Sequence, residues 1–306
     1  MNKIRLLKNR LINSAAALGV AAFILAAGGA AQAASFAGTY SQNFDGMGTG
    51  TTLPTDWSVY TVGSSHSAWV SSITANGASD SVQAMTLSTT QVASALTDTS
   101  LANTKGTSAY NIAHAGDTGN RVLSTSPSGN DGTALQLLLT NTSGATINGL
   151  NVSYNIVKFS DGTQQGSIVD SGQGWNEELP GYQLFYSVNG GTWVNVAALN
   201  PVRDNQANPN GNPVIPVGTV AAAGTYGNLD YSVTSITNSL VTLATGWGTG
   251  QTLALRWVDD NAENVSPDQI IGLDNVNVSS VPIPGAVWLL GSGLVGLVGI
   301  RRRMQK

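Results

Sequence analysis

The chain has 306 residues, of which only 10% are charged, with no cysteine and a formal net charge of −4. The lack of cysteine excludes disulfides, thiolate metal sites and cysteine nucleophiles. The basic residues cluster at the two ends, so the region between Asp45 and Asp274 holds five basic and all 17 acidic residues, a net charge near −12. Such an acidic domain repels phosphate backbones, and this excludes nucleic acid as a partner.

The first 33 residues have the three parts of a secretory signal peptide. A basic segment over 1–10 precedes an apolar run over 15–27, and the small residues Ala31 and Ala33 follow. This order predicts a signal helix that is cleaved before Ala34. The expected partners are the Sec machinery and signal peptidase, and the mature chain should be exported.

Between residues 34 and 280 the pattern is that of short β-strands. Apolar and polar residues alternate over 150–156, an apolar run covers 135–139, and alternation returns over 253–257. Such patterns predict strands. Asn189-Gly190, within the segment 182–196, is typical of a β-hairpin turn because Asn-Gly readily adopts positive φ.

The last predicted strand contains a change of phase. Ile271 and Leu273 share one parity whereas Val276 and Val278 share the other, so we expect a β-bulge at Asp274-Asn275. The proline-rich segment 203–218 is interpreted as a long loop. Many short strands without helical periodicity predict an all-β domain over 34–280, a jelly-roll-like β-sandwich in which the first and last strands pair.

Acidic and amide residues gather near the end of this domain, and Asp45 could join them if the first and last strands pair. Ca²⁺ is bound by six to eight oxygen ligands of this kind, so one interpretation is a structural calcium site. The alternative is that these residues are solvated turn formers, for which Asp and Asn are favoured. The candidate ligands are Asp45, Asp259, Asp260, Asn261, Asp268 and Asp274.

No catalytic constellation is recognisable. The chain has two histidines, His66 and His114, and no nucleophile-elbow motif. Adjacent Glu177 and Glu178 would point to opposite faces of a strand, so they cannot easily serve one glycosidase site. We therefore expect a non-enzymatic protein.

Tryptophans are candidates for contacts with sugar rings. Trp175 and Trp247 are flanked by glycine, which favours display on loops, so both are candidate glycan contacts. Trp193 and Trp257 lie in strand patterns and are expected in the core.

Residues 281–306 have the pattern of a membrane-sorting tail. Val281-Pro282-Ile283-Pro284-Gly285 precedes an apolar segment that contains Trp288 and ends at Arg301-Arg302-Arg303. From Val281 the stretch has 20 residues, which is sufficient for one transmembrane helix. The arginines should stay in the cytoplasm and leave the β domain outside.

This tail resembles the PEP-CTERM sorting signal of Gram-negative bacteria, with Ile283 in the place of the usual Glu. The resemblance implies removal of the tail by an exosortase, a membrane protease, in a bacterium that makes exopolysaccharide or biofilm matrix. The segments 42–45, 186–193 and 271–276 are similar to those of secreted bacterial jelly-roll modules, and this resemblance also implies a sandwich fold.

These observations together predict an exported protein of the cell surface or extracellular matrix, anchored transiently in the inner membrane and associated with polysaccharide. Two alternatives stay open: a secreted carbohydrate-active enzyme, and a purely structural adhesive matrix protein. No cofactor is required, with structural calcium as the one candidate.

Overall fold

The computed structural model describes residues 31–62, 83–85, 108–114, 117–127, 132–160, 180–204, 208–216, 232–260 and 269–281. Within these ranges the regular structure is almost entirely β. The strands are, in chain order, β1 Ala34–Phe36, β2 Thr39–Gln42, β3 Trp57–Val62, β4 Gln83–Met85, β5 Ser108–His114, β6 Asp117–Ser126, β7 Gly132–Asn141, β8 Ile147–Ser160, β9 Gln183–Val188, β10 Val194–Asn195, β11 Val202–Arg203, β12 Val214–Ile215, β13 Ser232–Trp247, β14 Thr252–Asp260 and β15 Ile270–Ser280.

The described strands form two large sheets. The first sheet has the order β10-β9-β14-β7-β3-β4, and β1 pairs in parallel with the end of β7. The second sheet has the order β13-β8-β15-β6-β5, and β2 pairs with β15. The predicted pairing of the first strand with the last is met by β2 and not by β1, which pairs with β7.

One hydrophobic core lies between these sheets and is built by alternation along each strand. On β8, Leu150, Val152, Tyr154 and Ile156 are buried, whereas Asn151, Ser153 and Asn155 are half-buried on the opposite face. On β14, Leu253, Leu255 and Trp257 are buried in the same core. The predicted strands at 150–156, 135–139 and 253–257 are therefore confirmed, and the sheets pack as a β-sandwich.

Aromatic residues join the two sheets across this core. Trp257 of the first sheet meets Tyr154 of the second edge to face, with ring centroids 5.7 Å apart. Phe36 on β1 meets Trp247 at the end of β13 at 5.1 Å. Contacts of this kind add to the burial energy of large rings and fix how the sheets face each other.

The predicted bulge in the last strand is confirmed. In the pairing of β15 with β8, Asp274 is opposite Asn155 and Asn277 is opposite Ser153, so three steps along one strand match two along the other. Asn275 takes the left-handed conformation, with φ of 50°. The extra residue turns Val276 and Val278 into the core, as Ile271 and Leu273 were before it.

The hairpin at Asn189-Gly190 is also confirmed. Both residues have positive φ, 52° and 69°, and the turn connects the antiparallel pair β9 and β10. The expectation of a plain loop over 203–218 was wrong at its described ends. Val202–Arg203 and Val214–Ile215 form a short parallel ladder, because Ile215 and Arg203 are buried and their backbone groups need partners.

The predicted terminal segments lie mostly outside the described residues. Ala31 and Ala33 precede β1, which begins at Ala34, and Val281 follows β15 with 37% of its surface exposed. The other sorting-motif residues, from Pro282 to Arg303, lie outside the described part. Within the described residues, no helix has the length and apolar character needed to cross a bilayer.

Candidate functional site

The bulge residue Asp274 is fully buried and its carboxylate is used by the fold. One oxygen accepts a hydrogen bond from the Asn275 backbone N–H at 2.6 Å. The other lies 2.8 Å from Asn275 Nδ2 and 3.2 Å from His114 Nε2. Asp274 therefore stabilises the left-handed turn of the bulge and connects β15 to the end of β5.

Asp45 lies in the single helical turn after β2, and it caps the neighbouring strand. Its Oδ1 accepts a hydrogen bond from the Arg121 backbone N–H at 2.8 Å, and its Oδ2 accepts one from Asn43 at 2.6 Å. Along β15, the pairing with β6 ends at Leu273 and the pairing with β2 begins at Val276, which leaves a gap in the second sheet. The Asp45 carboxylate lies at this gap and connects β6 to the chain after β2.

The side chain of Arg121 is buried beside this gap, and Asn111 holds it. Arg121 Nε donates to Asn111 Oδ1 at 2.8 Å, and its guanidinium also donates to the Asn111 carbonyl at 2.7 Å. Burial lowers the pKa of Arg121, whereas the nearby charge of Asp45 raises it. Asn111 Nδ2 donates to the carbonyls of Gly48 and Gly50. We call this set of residues the polar junction: Asp45, Gly48, Gly50, Asn111, His114, Arg121 and Asp274.

Asp259 lies in the other sheet, on β14, and is also fully buried. It accepts hydrogen bonds from Thr125 Oγ1 and from Gln269 Nε2, the second at 2.9 Å. Burial, with the charge of Asp259 as a second cause, raises the pKa of the neighbouring Tyr182. This carboxylate connects the two sheets.

The structure does not bring the described calcium candidates Asp45, Asp259 and Asp274 into one cluster. Among the described residues, no group of three or more acidic, His or Cys side chains could hold a metal ion. Asp45 and Asp274 contribute to the second sheet, whereas Asp259 belongs to the first. Asp260 is the last residue of β14, and Asn261 and Asp268 lie outside the described residues. The calcium interpretation now depends on Asp260, Asn261 and Asp268.

The expectation that Trp247 is displayed on a loop was wrong. Its side chain is fully buried, and its indole N–H donates to the Gln251 carbonyl at 2.8 Å. It ends β13 and fills the core against Phe36, so it offers no face to a sugar ring. Trp175 lies outside the described residues. Trp257 is in the core as predicted.

Trp193 is half-buried on the outer face of the first sheet, where it covers a cation. The Arg256 guanidinium lies 4.0 Å from the centroid of the Trp193 ring and 5.1 Å from that of Tyr60. It also donates to Gln136 at 2.6 and 3.0 Å, and burial lowers its pKa to about 10. The contacts of Arg256 are thus taken by the protein itself.

A groove of about 340 Å³ lies on the outer face of the second sheet. It is lined by two rows of polar side chains that cross β2, β15 and β8. One row is Ser41, Asn277 and Ser153, and the other is Thr39, Ser279 and Asn151, each aligned by the strand register. Asn238 of β13 completes the first row, since its backbone N–H donates to Ser153 Oγ at 2.8 Å. We call this feature the amide groove.

The amide groove continues past the bulge. A neighbouring depression of about 270 Å³ shares Ser41 and Asn277 with it and adds Gln42, Asn43 and Asn275. Without the bulge, Asn277 and Ser279 would keep the parity of Leu273 and face the core. The extra residue of the bulge therefore places Asn277 and Ser279 in the middle of the groove and buries Val276 and Val278 in the core.

Among the residues that the structure describes, none that lines either part of the groove is Asp, Glu, Lys or Arg. The lining is amide and hydroxyl groups, which both donate and accept hydrogen bonds. Within the described residues, the side chains of Thr39, Ser41, Asn151 and Ser279 have no hydrogen-bond partner in the protein, so they are available to water or a ligand. The surface is suited to a polyhydroxylated, uncharged ligand.

The sequence carries a signal for this groove in two of its strands. Asn151 and Ser153 alternate with core residues on one strand, and Asn277 and Ser279 do so on another. Only the register showed that the two polar strips are neighbours.

No family model matches the chain, and no curated protein matches it. Partial likenesses among solved structures include a tryptic core variant of the Bacillus thuringiensis protein Cry1Da, with 9% identity, a TM-score of 0.27, and coverage of 58% of this chain and 21% of that one. The Stig cyclase Fisc from Fischerella has 14% identity, a TM-score of 0.25, and coverage of 53% and 65%.

A third likeness is to TmCBM27, a carbohydrate-binding module that recognises mannan, with 15% identity, a TM-score of 0.24, and coverage of 54% of this chain and 76% of that one. This chain thus spans about a fifth of the length of the Cry1Da core. With TM-scores this low, the three proteins indicate nothing about what this chain binds. The class that its own sheets define is a β-sandwich.

Proposed function

We propose that the protein is an exported, non-enzymatic component of the cell surface or extracellular matrix that associates with extracellular polysaccharide. The observation that carries this proposal is the amide groove on the outer face of the second sheet. Its neutral amide and hydroxyl groups are matched to the hydroxyl groups of sugars, since both partners donate and accept.

The groove fits retention of a polysaccharide better than its cleavage. Glycosidases need a carboxylic acid and a second carboxylate on either side of the scissile bond. The lining residues that the structure describes include neither, and the nearby carboxylates of Asp45 and Asp274 already accept hydrogen bonds from protein donors. An enzyme therefore stays the second candidate, with its site elsewhere on the chain.

The same proposal includes a jelly-roll form of the sandwich and the export of the protein. The sandwich is a jelly-roll-like domain over 34–280, preceded by a signal helix over 1–33 and followed by one transmembrane helix over 281–306. An exosortase-type protease recognises the tail at Pro282-Ile283-Pro284 and releases the domain. The pairing of β2 with β15 supports the jelly-roll arrangement, because it places the two ends of the domain together.

Binding to native matrix tests the functional proposal. The full chain, solubilised in mild detergent, is mixed with polysaccharide extracted from the producing bacterium and with a glycan array. Retention on the matrix without release of shorter saccharides is expected. Release of oligosaccharides would favour the enzyme, and no retention on any glycan would favour a purely structural adhesive.

Mass spectrometry tests the export proposal separately. Protein released from the surface of the native host should begin at Ala34 and end between about residues 280 and 285. Replacement of Arg301, Arg302 and Arg303 by glutamine should impair release, because the positive-inside rule then no longer orients the tail. An intact arginine cluster in surface protein would contradict sorting by proteolysis.

A further inference from the structure

We infer that the amide groove binds an uncharged polysaccharide chain, held by hydrogen bonds to its amide and hydroxyl side chains. The inference rests on the proposed function and assigns it a place and a ligand class. The residues that carry it are Ser41, Thr39, Asn151 and Ser279, whose side chains have no hydrogen-bond partner among the residues that the structure describes. Asn277 and Ser153 complete the row that begins with Ser41, although Asn277 Nδ2 also donates to the Asn275 carbonyl and Ser153 Oγ accepts from the Asn238 backbone N–H.

The geometry supplies a regular set of hydrogen-bonding groups. Neighbouring strands lie about 4.8 Å apart, so each row of three residues spans roughly 10 Å across the sheet. The rows are two residues apart along β15, and the depression that contains Asn43 and Asn275 extends them. A surface of this size can contact more than one sugar unit at once.

The groove is also rigid. Its side chains project from paired strands whose opposite faces are held in the core by Val152 and Val278. Little backbone entropy is then lost on binding, and preorganised side chains bind more strongly than mobile ones. A short exposed loop with the same residues would lack this advantage.

The charge distribution selects the ligand class. The described part of the lining has no cation to pair with uronate or sulfate groups, and the domain around it carries a net charge near −12. An anionic glycan would therefore meet repulsion without a compensating ion pair. A neutral glycan meets no such repulsion. Its binding should change little with salt, since screening acts only on charges.

The lining also contrasts with the usual small-molecule pocket, which is mostly apolar. Hydrogen bonds to exposed groups replace those to water, so each contributes only modestly. Affinity for a polymer is gained by repetition of weak contacts along the chain. The expected ligand is accordingly a long neutral polysaccharide, and short oligosaccharides should bind weakly.

The test compares two single substitutions that make the same change of charge. Asn151→Asp puts a carboxylate into the groove and removes a donor, whereas Asn189→Asp puts one into the exposed hairpin turn of the first sheet. Affinity electrophoresis of the full chain in detergent is run in gels that contain a glucan, a mannan or a galactan, or alginate as the anionic probe. A second groove variant, Ser41→Ile, removes a hydroxyl and narrows the groove without a change of charge.

We expect retardation by at least one neutral polysaccharide, unchanged by salt and by Asn189→Asp. Asn151→Asp and Ser41→Ile should each weaken it by about five-fold or more, the effect of one lost hydrogen bond and its partner's desolvation. Circular dichroism of both variants controls for folding.

The outcomes separate the two proposals. Equal binding by wild type, Asn151→Asp and Ser41→Ile would overturn the placement in the groove while polysaccharide association stands. Retardation by alginate alone would overturn the ligand class. Failure to bind any polysaccharide, the native matrix included, would overturn both.

Discussion

The replacement of Asn111 by alanine tests whether the polar junction stabilises the domain. The Asn111 side chain is fully buried and makes three hydrogen bonds: it donates to the carbonyls of Gly48 and Gly50 at 3.0 and 2.7 Å and accepts from Arg121 Nε at 2.8 Å. Asn111→Ala removes all three at once. The loop after β2 and the guanidinium would then lose a common anchor.

The size of the effect follows from which groups can reach water afterwards. Gly48 and Gly50 are exposed, so their carbonyls regain hydrogen bonds to solvent and each lost bond costs less than about 1 kcal/mol. Arg121 is 1% exposed, and its Nε–H would stay buried without this acceptor, which costs about 1.5–3 kcal/mol. The expected loss is about 3 kcal/mol in the free energy of unfolding, or a decrease in Tm of roughly 6–12 °C for a domain of this size.

Asn43→Ala is the matched control, because it removes an asparagine whose two hydrogen bonds are exposed, one from its Nδ2 to Asp45 Oδ2 and one from the Asp45 backbone N–H to its Oδ1. Every group left without a partner can then reach water, so its loss should be about 1 kcal/mol or less. The assay is urea or thermal unfolding followed by tryptophan fluorescence. An Asn111→Ala variant that is as stable as wild type, or that loses no more than Asn43→Ala, would refute the reasoning about the buried guanidinium.

Three further predictions concern packing, the bulge and alkaline pH. Gly272→Ala should destabilise the domain by about 1–3 kcal/mol, because a Cβ there would lie 2.6 Å from Ser124 Oγ. Gly46→Ala is the control and should change Tm little, because its Cβ would meet nothing within 4 Å. Asp274→Ala should lower Tm equally in millimolar Ca²⁺ and in chelator, since its carboxylate accepts from protein donors; a loss seen only with calcium would restore the metal interpretation. Burial raises the pKa of three tyrosines above the value of about 10 expected in the unfolded chain. Their contribution to stability should therefore be constant below pH 10 and fall above it, by up to about 1.4 kcal/mol per pH unit for each. The three are Tyr40, Tyr154 and Tyr182. In a spectrophotometric titration these phenols should ionise only as the domain unfolds, and ionisation of all eight tyrosines in the folded state would contradict this prediction.

Local pattern was sufficient for much of the fold. The alternation at 150–156, the turn at Asn189-Gly190 and the change of phase at Asp274-Asn275 each depend on neighbours within a few residues, because a strand sends successive side chains to opposite faces. The acidic balance of the central region is a property of composition alone. These features were therefore readable without the pairing of the strands.

Whether a particular side chain is buried could not be predicted from local pattern in the same way. Trp247 follows Gly246 and precedes Gly248, a context that favours a loop, yet contact with Phe36 of the opposite sheet buries it. The parallel pairing of β11 with β12 depends on burial of Ile215, which no local signal predicted. Whether an aromatic ring is displayed or enclosed depends on residues far away in the chain.

The candidate site shows the same division. From its sequence, this protein has neutral polar residues on alternate positions of β8 and β15, with a bulge that sets the phase of the second strip. Only the tertiary structure placed Asn151 beside Ser279, and Ser41 beside Asn277, because strand order and register are decided by which apolar faces bury each other. The same packing committed Asp45, Asp259 and Asp274 to hydrogen bonds within the fold, since a buried carboxylate must find donors.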